Sequence, residues 1–401
     1  MAYPLPDEPS IAVLPFANMS GDPEQEYFCD GLTDEIITAL SKNPGLFVIA
    51  RNSSFTYKAK PVKVQQVAED LGVRYVLEGG VRKADDRIRI TAQLIDAITG
   101  KHLWAERYDR DLKDIFAIQD EITIHILEAM QLKVTWGERG REASRTPKNL
   151  DAYLKVLEGQ HYLDQQNPED RIRARKLFEE AIALDPEYAA PYAFLGACLT
   201  IDVMQASTKS PMKDIMEASK LAQKALALDE THPTIHHVFG GLYLGALQFD
   251  KAIVAFERAV ELNPNMSISL VLLGHSLCGI GKPQEAIPIY EKALRVDPLE
   301  PSWAYWGLSY ANEIMKNNEE AISYYKKALE VKPKFFWVLI GITQSYIALG
   351  RDDEARAMVT EILKLNPRFS VKAYAKTWPP IKDQAIKERM MAALLKAGLP
   401  E

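Results

Sequence analysis

Apolar positions along this chain follow two rhythms. From about residue 150 onward they recur with the period of the α-helix. The string ARKLFEEAIALDP begins at Ala174, ASKLAQKALALDE at Ala218 and AIVAFERAVELNP at Ala252. AIPIYEKALRVDP follows from Ala286, AISYYKKALEVKP from Ala321 and ARAMVTEILKLNP from Ala355. The leading alanines are separated by 44, 34, 34, 35 and 34 residues. In the unit from Thr234 to Pro264, the side chains of Ala252, Phe256 and Ala259 share one helical face. Gly240, on the preceding helix with Phe239 and Tyr243, permits close approach, and Asn263-Pro264 ends the second helix because proline disfavours a helical predecessor. Leu273, Gly274, Ala286, Tyr290, Ala293 and Pro298 repeat the device. The second unit is longer by ten residues, which predicts a loop around Val203 to Pro211.

Before residue 138 the pattern is different. Ile11 to Phe16 is a short apolar run that predicts a buried strand, and Leu46 to Ala50 predicts a second. Between them Phe28, Leu32, Ile36 and Leu40 mark one face of a helix, broken by Asn43-Pro44-Gly45, with Asp22 or Ser20 as the turn residue before it. Val62 to Leu71 predicts a short helix closed by Gly72. Strands follow at Arg74 to Arg82, Arg87 to Asp96 and His102 to Tyr108. Ile88, Ile90, Ala92 and Leu94 alternate with Arg87, Arg89, Thr91 and Gln93, the mark of a half-exposed antiparallel sheet. A helix from Asp114 to about Val134 presents Ile115, Ile118, Ile122, Ile126 and Met130 inward. The order β-α-β-α-β-β-β-α predicts an α/β domain with helices covering at least one face of the sheet. The expected organisation is a linker over 1–9, the α/β domain over 10–137, a polar linker over 138–150, six repeats over 151–367 and a capping tail over 368–401. That tail holds Trp378-Pro379-Pro380 and an amphipathic helix from Lys382 to Lys396.

A period near 34 with small residues, one large apolar residue and a terminal proline resembles the tetratricopeptide repeat. A single hairpin cannot bury its apolar face, so the repeats are expected to stack into an all-α superhelix that recognises a partner and performs no chemistry. Carrying the motif frame onto this chain places certain first-helix residues on the concave side. They are His237 and Leu244 in the third unit, Val271, His275 and Cys278 in the fourth, Trp303, Trp306 and Tyr310 in the fifth, and Trp337, Ile340 and Gln344 in the sixth. Three tryptophans and a tyrosine on consecutive first helices suit the anchoring of an extended peptide or an apolar helix. Packing between helices is the competing use of the same rings. The Lys and Asn pairs with which some repeats clamp a terminal carboxylate are missing.

Composition narrows the functions. A net charge of −7 over 401 residues offers no electrostatic footprint for nucleic acid or anionic lipid. No stretch reaches 18 apolar residues, so no membrane span is expected, and the start MAYPLPDEPS lacks the basic and apolar regions of a signal peptide. Cys29, Cys198 and Cys278 are far apart and odd in number, unlike a disulfide framework or a zinc site. No GxxxxGK loop occurs, and Gly79-Gly80 inside a strand reads as a bulge or a close backbone approach. The acidic stretch Asp22, Glu24, Glu26, Asp30, Asp34 and Glu35 lacks calcium-loop spacing. His232 and His236 are one helical turn apart, with His237 beside them, but no third metal ligand is implied. Ser53-Ser54 has no triad context. The expectation is no metal, no cofactor and no enzyme activity in this chain.

The segments IAVLPFANMSGDPEQEYFCDGLTDEI, FVIARNSSFTYKAK and GVRYVLEGGVRKADDRIRITAQLIDAITGKHLWAERYDRDLKDIFAIQDEI resemble a TolB amino-terminal-like domain. In that family the domain precedes tetratricopeptide repeats, as the C-terminal half of bacterial class III adenylate/guanylate cyclases and of CadC-like winged-helix regulators. The ending ALLKAGLPE is similar to the usual end of those proteins. The resemblance implies a sensor or signalling module that binds a protein or peptide. Its alternatives are the regulatory half of a nucleotide cyclase or, by analogy with TolB, an envelope scaffold. It also implies an effector domain, often with a membrane span, ahead of PLPDEPS, so that the chain is either freestanding or a fragment. Compartment stays open between cytoplasm and periplasm, and a homodimer is compatible with every reading.

Overall fold

The structure is a computed structural model that describes residues 3–132, 147–205, 207–377 and 381–401. The first strand, β1 (Ser10–Val13), is buried along its whole length. After Ser10 it is apolar, because it lies between two parallel neighbours, β3 (Phe47–Val48) and β4 (Tyr75–Ala84). A short β2 (Ala17–Asn18) pairs with the far end of β4, and β4, β5 (Arg87–Asp96) and β6 (Lys101–Asp111) form an antiparallel ladder. The order is β3-β1-β4-β5-β6. Ile88, Ile90 and Leu94 are buried while Arg87, Arg89 and Thr91 are exposed, as the alternation requires. The LFVIA run contributes only the two residues of β3, and a short helix that the pattern did not announce, α2 (Arg51–Phe55), takes over directly after it.

Gly79 and Gly80 have the close-approach role. A Cβ at Gly79 would lie 2.4 Å from the Thr91 carbonyl and 2.8 Å from the Phe16 ring, and one at Gly80 would meet the Met19 sulfur at 2.7 Å. Any side chain there would push β2 and Phe16 off the sheet. The ladder irregularity lies elsewhere, between Leu94 and Ile95. Asp22 accepts from the Glu24 amide to start a 3-10 turn, after which α1 (Glu26–Ser41) begins. Helix α3 (Val64–Leu71) ends at Gly72, whose φ of +63° is the left-handed cap. Helices α1 and α4 (Ile115–Ala129) share one core with the sheet, built on Phe28, Leu32, Ile36, Ile90, Leu94, Ile118 and Ile122.

Six helical hairpins follow among the described residues. They are α5 (Leu150–Asp164) with α6 (Pro168–Leu184), and α7 (Ala189–Met204) with α8 (Pro211–Leu228). Next come α9 (Pro233–Gly245) with α10 (Phe249–Leu262), and α11 (Ser267–Gly279) with α12 (Pro283–Val296). The last are α13 (Ser302–Ile314) with α14 (Asn318–Val331), and α15 (Phe336–Ala348) with α16 (Asp352–Leu365). One device recurs in them: the large residue of the second helix presses on a glycine of the first. A Cβ at Gly240 would meet the Phe256 ring at 2.6 Å, and one at Gly159 would meet Phe178 at 2.5 Å. The Tyr290 ring is gripped twice, by Gly274 of its own hairpin and by Gly307 of the next. This is how one repeat specifies its neighbour. The long second unit spends part of its surplus between Met204 and Pro211. Two further helices, α17 (Val371–Thr377) and α18 (Gln384–Ala397), close the chain. Of these only α18 was announced by the sequence pattern, and Trp378-Pro379-Pro380 lies outside the described residues.

Packing divides the chain inside the repeats. One compact unit is Met1–Val238 with Glu261–Asn265, the other Phe239–Val260 with Met266–Glu401. In the first, the α/β core and the first hairpin are continuous, since Tyr153 and Leu157 of α5 belong to the sheet's own core. Helix α5 touches α1 so closely that a Cβ at Gly31 would lie 2.6 Å from Leu157. Most of the expected 138–150 linker falls outside the described residues. Its end is ordered: Asn149 accepts from the Asp151 and Ala152 amides and caps α5.

Candidate functional site

The first helices of the later repeats are apolar on nearly every side, and most of their residues are buried. In α13 every residue from Trp306 to Ile314 is buried, and in α15 every residue from Val338 to Ile347. Their buried stretches present little to a partner.

The aromatic residues form one continuous stack within the second unit. His275 of α11 lies 4.5 Å from Trp306 and stacks at 5.3 Å on Tyr310. Trp306 is edge-on to Trp303 at 5.5 Å and 6.4 Å from Trp337, and Trp337 is 6.1 Å from Tyr374 of α17. The His275 Nδ1–H donates to the Val271 carbonyl at 2.8 Å. Burial pushes the His275 imidazole down to about 4 against that hydrogen bond, so the ring is neutral near pH 7. Burial likewise pushes His237 down to about 4. Cys278 is a buried thiol 3.8 Å from the Tyr290 hydroxyl, and desolvation pushes it up to about 12, so it is an inert small hydrophobe.

Direct partner contact therefore needs correction for most of the residues expected on the concave side. Leu244, Val271, His275, Trp306, Tyr310, Ile340 and Gln344 are each 5% exposed or less, already surrounded by this chain's own atoms. The repeat frame does bring His275, Trp306, Tyr310 and Trp337 together. His237, Trp303 and Trp337 alone of that set keep intermediate exposure.

Repeat residues cover most of them, and the C-terminal segment also crosses the first-helix face, where it covers Gln344. Lys382 N–H donates to the Gly279 carbonyl at 2.9 Å. Arg389 donates to the Glu313 carbonyl at 3.0 Å, and the Gln344 side-chain amide donates to the Met390 carbonyl at 3.2 Å. The Lys382 ammonium approaches Asp250 at 3.8 Å. Glu313 is buried here; desolvation lifts its carboxyl to about 8, opposed by a 2.7 Å hydrogen bond from Tyr325 and by the Arg389 charge. The tail, expected as a cap, also lies on the first-helix face. The available signal was the apolar spacing Ile386, Met390, Leu394.

A second constellation, in the first unit, is polar. Asp30 of α1 accepts from Lys58 through both oxygens at 2.7 Å and lies 3.0 Å from His161 of α5. Burial would raise this carboxyl, but the hydrogen bonds from His161 and Lys58 and the charges of Lys58 and Arg51 outweigh it and hold it below its ordinary value. Arg51 reaches Asp164 at 2.8 Å. Glu35 accepts from Tyr153 at 2.7 Å and from Gln119, and burial raises its carboxyl to about 7. These groups sit where α1 meets α5, with Arg51 of α2, Lys58 and Gln119 of α4 reaching in. Among the described residues there is no group of three or more His, Cys, Asp or Glu able to hold a metal ion. No described helix is long and apolar enough to cross a membrane.

Comparison with known proteins gives matches of two kinds. Residues 7–125 match the model of the HilA/YgeH-like transcriptional regulator second domain, so it is this description that the comparisons attach to the α/β region. Tetratricopeptide-repeat models match residues 234–266, 265–334 and 314–376. "Putative adenylate cyclase 3" of Rhizobium meliloti (strain 1021) is 49% identical over 233 residues, which are 58% of this chain and 40% of that protein. The transcriptional regulator HilA of Salmonella typhimurium is 21% identical over 368 residues, 90% of this chain and 64% of that protein. The chain thus spans less than two thirds of either relative. Among solved structures, the APC/C hetero-tetramer Cut9-Hcn1 is similar with a TM-score of 0.47 at 16% identity, covering 64% of this chain and 44% of that one. The chain carries tetratricopeptide repeats behind a HilA-like α/β domain.

Proposed function

We propose that this chain is a non-enzymatic, polypeptide-binding signalling module that acts on an effector carried by the same or a neighbouring protein. The observation that carries it is that the first-helix face of the last repeats already holds a polypeptide, residues 381–397, through main-chain hydrogen bonds and apolar packing. The α/β region, which also resembles a TolB amino-terminal-like domain, joins the repeats to the rest of the signalling protein. Of the expected groove residues, His237, Trp303 and Trp337 retain surface for a partner.

A second reading follows from the 49% identity to the Rhizobium relative: the module is the regulatory half of a nucleotide cyclase. Both readings meet one experiment. The isolated chain should form no cyclic nucleotide from ATP or GTP. Joined behind a nucleotide cyclase domain, it should change turnover by at least about fivefold on partner addition or on Trp337→Ala, the lower edge of ordinary allosteric coupling. Cyclase turnover by the isolated chain overturns the non-enzymatic reading, and turnover that ignores the repeats overturns the regulatory one.

A further inference from the structure

The segment from Ile381 to Ala397 crosses the carboxyl ends of consecutive first helices. Gly279, which accepts from Lys382, is the last residue of α11. Glu313, which accepts from Arg389, is next to last in α13. The two stand 34 residues apart across a repeat offset of 35, so they are the last and next-to-last residues of adjoining first helices. On α15, the next first helix, Gln344 donates to the Met390 carbonyl. A helix leaves its last carbonyls without intrahelical partners and concentrates partial negative charge there. Two successive repeats therefore offer acceptors at their first-helix ends, in a field that favours cations.

The occupant matches this layout twice. Its donors are the main-chain N–H of Lys382 and the guanidinium of Arg389, and the Lys382 ammonium faces Asp250. Beneath them Met390, Leu394 and Ala397 are 2%, 0% and 5% exposed, spaced i, i+4, i+7 along one face of α18. All three hydrogen bonds engage a main-chain group on one side. Little in them selects this particular sequence. What the face asks for is a helix with an apolar stripe and a basic residue directly before it.

The row of helix ends continues past the occupant. Gly245, 34 residues before Gly279, ends α9. It is exposed, has open space where a Cβ would stand, and is followed by Leu247 at 50% exposure. An outside helix one repeat longer than α18 gains contacts there that the resident segment does not make.

We infer that the carboxyl ends of α11 and α13, with Gln344, form the partner track, that residues 381–397 are its resident occupant, and that the partner is a basic amphipathic helix which displaces them. This rests on the reading of the chain as a polypeptide-binding module. A tethered occupant works at an effective concentration on the order of millimolar, so the outside helix binds in proportion to the fraction of time the track is open.

The test uses a fluorescent peptide of the sequence IKDQAIKERMMAALLKAG, residues 381–398, titrated into the full chain. The Arg389→Ala full chain keeps the track and weakens only the resident. It should bind the peptide about tenfold tighter than the unaltered chain, the worth of one charge-assisted hydrogen bond. A peptide carrying the same substitution should lose a similar factor. Equal affinity of the two chains, or equal binding of a scrambled peptide, overturns the proposal. Hydrogen exchange on the unaltered chain is a second measure that needs no variant. Saturating peptide should speed exchange in residues 384–397, and unchanged protection there overturns displacement. Displacement without any effect on a joined effector leaves the track standing and removes the signalling role. An effector that responds to the repeats while the peptide displaces nothing does the reverse.

Discussion

The α1–α5 junction and the face under α18 are both places where distant stretches of chain meet, and they are built from opposite materials. At the junction the acceptors are side-chain carboxylates with designated partners: Asp30 with Lys58 and His161, Asp164 with Arg51, Glu35 with Tyr153 and Gln119. Under α18 the polar contacts run through main-chain groups, Gly279 and Glu313 accepting and Met390 accepting from Gln344. A buried carboxylate that loses its partner keeps its desolvation cost, so the junction tolerates no substitute. A helix-end carbonyl is the same in every repeat and takes any donor of suitable reach. The first arrangement holds a fixed geometry, whereas the second permits exchange of one occupant for another.

The sharpest way to break this contrast is Trp306→Ala. Trp306 is 4% exposed and packs on His275, Trp303, Phe335 and Trp337. Its truncation should cost about 3–5 kcal/mol in urea unfolding. A loss under about 1 kcal/mol would mean that the ring is not core and that the face is open to partners after all.

A smaller effect is expected at the junction from Asp30→Asn. The amide keeps the shape but loses the charge facing Lys58 and His161, which should cost about 2 kcal/mol and decrease with added salt. An unchanged midpoint at low salt would show that the junction charges only decorate packing supplied by Leu157 against Gly31.

The smallest effect is a slope. Glu35 has a folded value near 7, above the usual 4.5, so it holds its proton in the native state over a range where the unfolded chain has released it. Stability from this group is complete below about pH 4.5 and is lost as pH rises through about 7. Glu35→Gln should flatten that part of the stability-against-pH curve and leave the part below pH 4 unchanged. Identical curves for both proteins between pH 5 and 8 would show that Glu35 is solvated like an ordinary carboxylate.

Much of the fold was legible because its signals are local. The six alanine-led strings located the second helices, and the alternation from Arg87 to Leu94 located the antiparallel sheet. Gly72 and Gly79-Gly80 announced a left-handed cap and a close approach because only the lack of a side chain permits either. The candidate site was legible by half. The repeat frame gathered His275, Trp306, Tyr310 and Trp337 on adjoining first helices, where their rings meet. It could not show that these rings are covered, because a buried aromatic and an anchoring one share composition and spacing.

The sequence by itself determined the hairpins and the small and large residues that close each one, since helical periodicity and the glycine–aromatic contact within a hairpin act over one repeat. Only the tertiary structure decided what lies on the first-helix face. Gln344 meets Met390 46 residues away and Arg389 meets Glu313 76 residues away. An amphipathic tail fits a solvated end cap and an occupied track equally well in one dimension. The choice falls to whichever packing buries the stripe of Met390, Leu394 and Ala397 and satisfies the helix-end carbonyls at once.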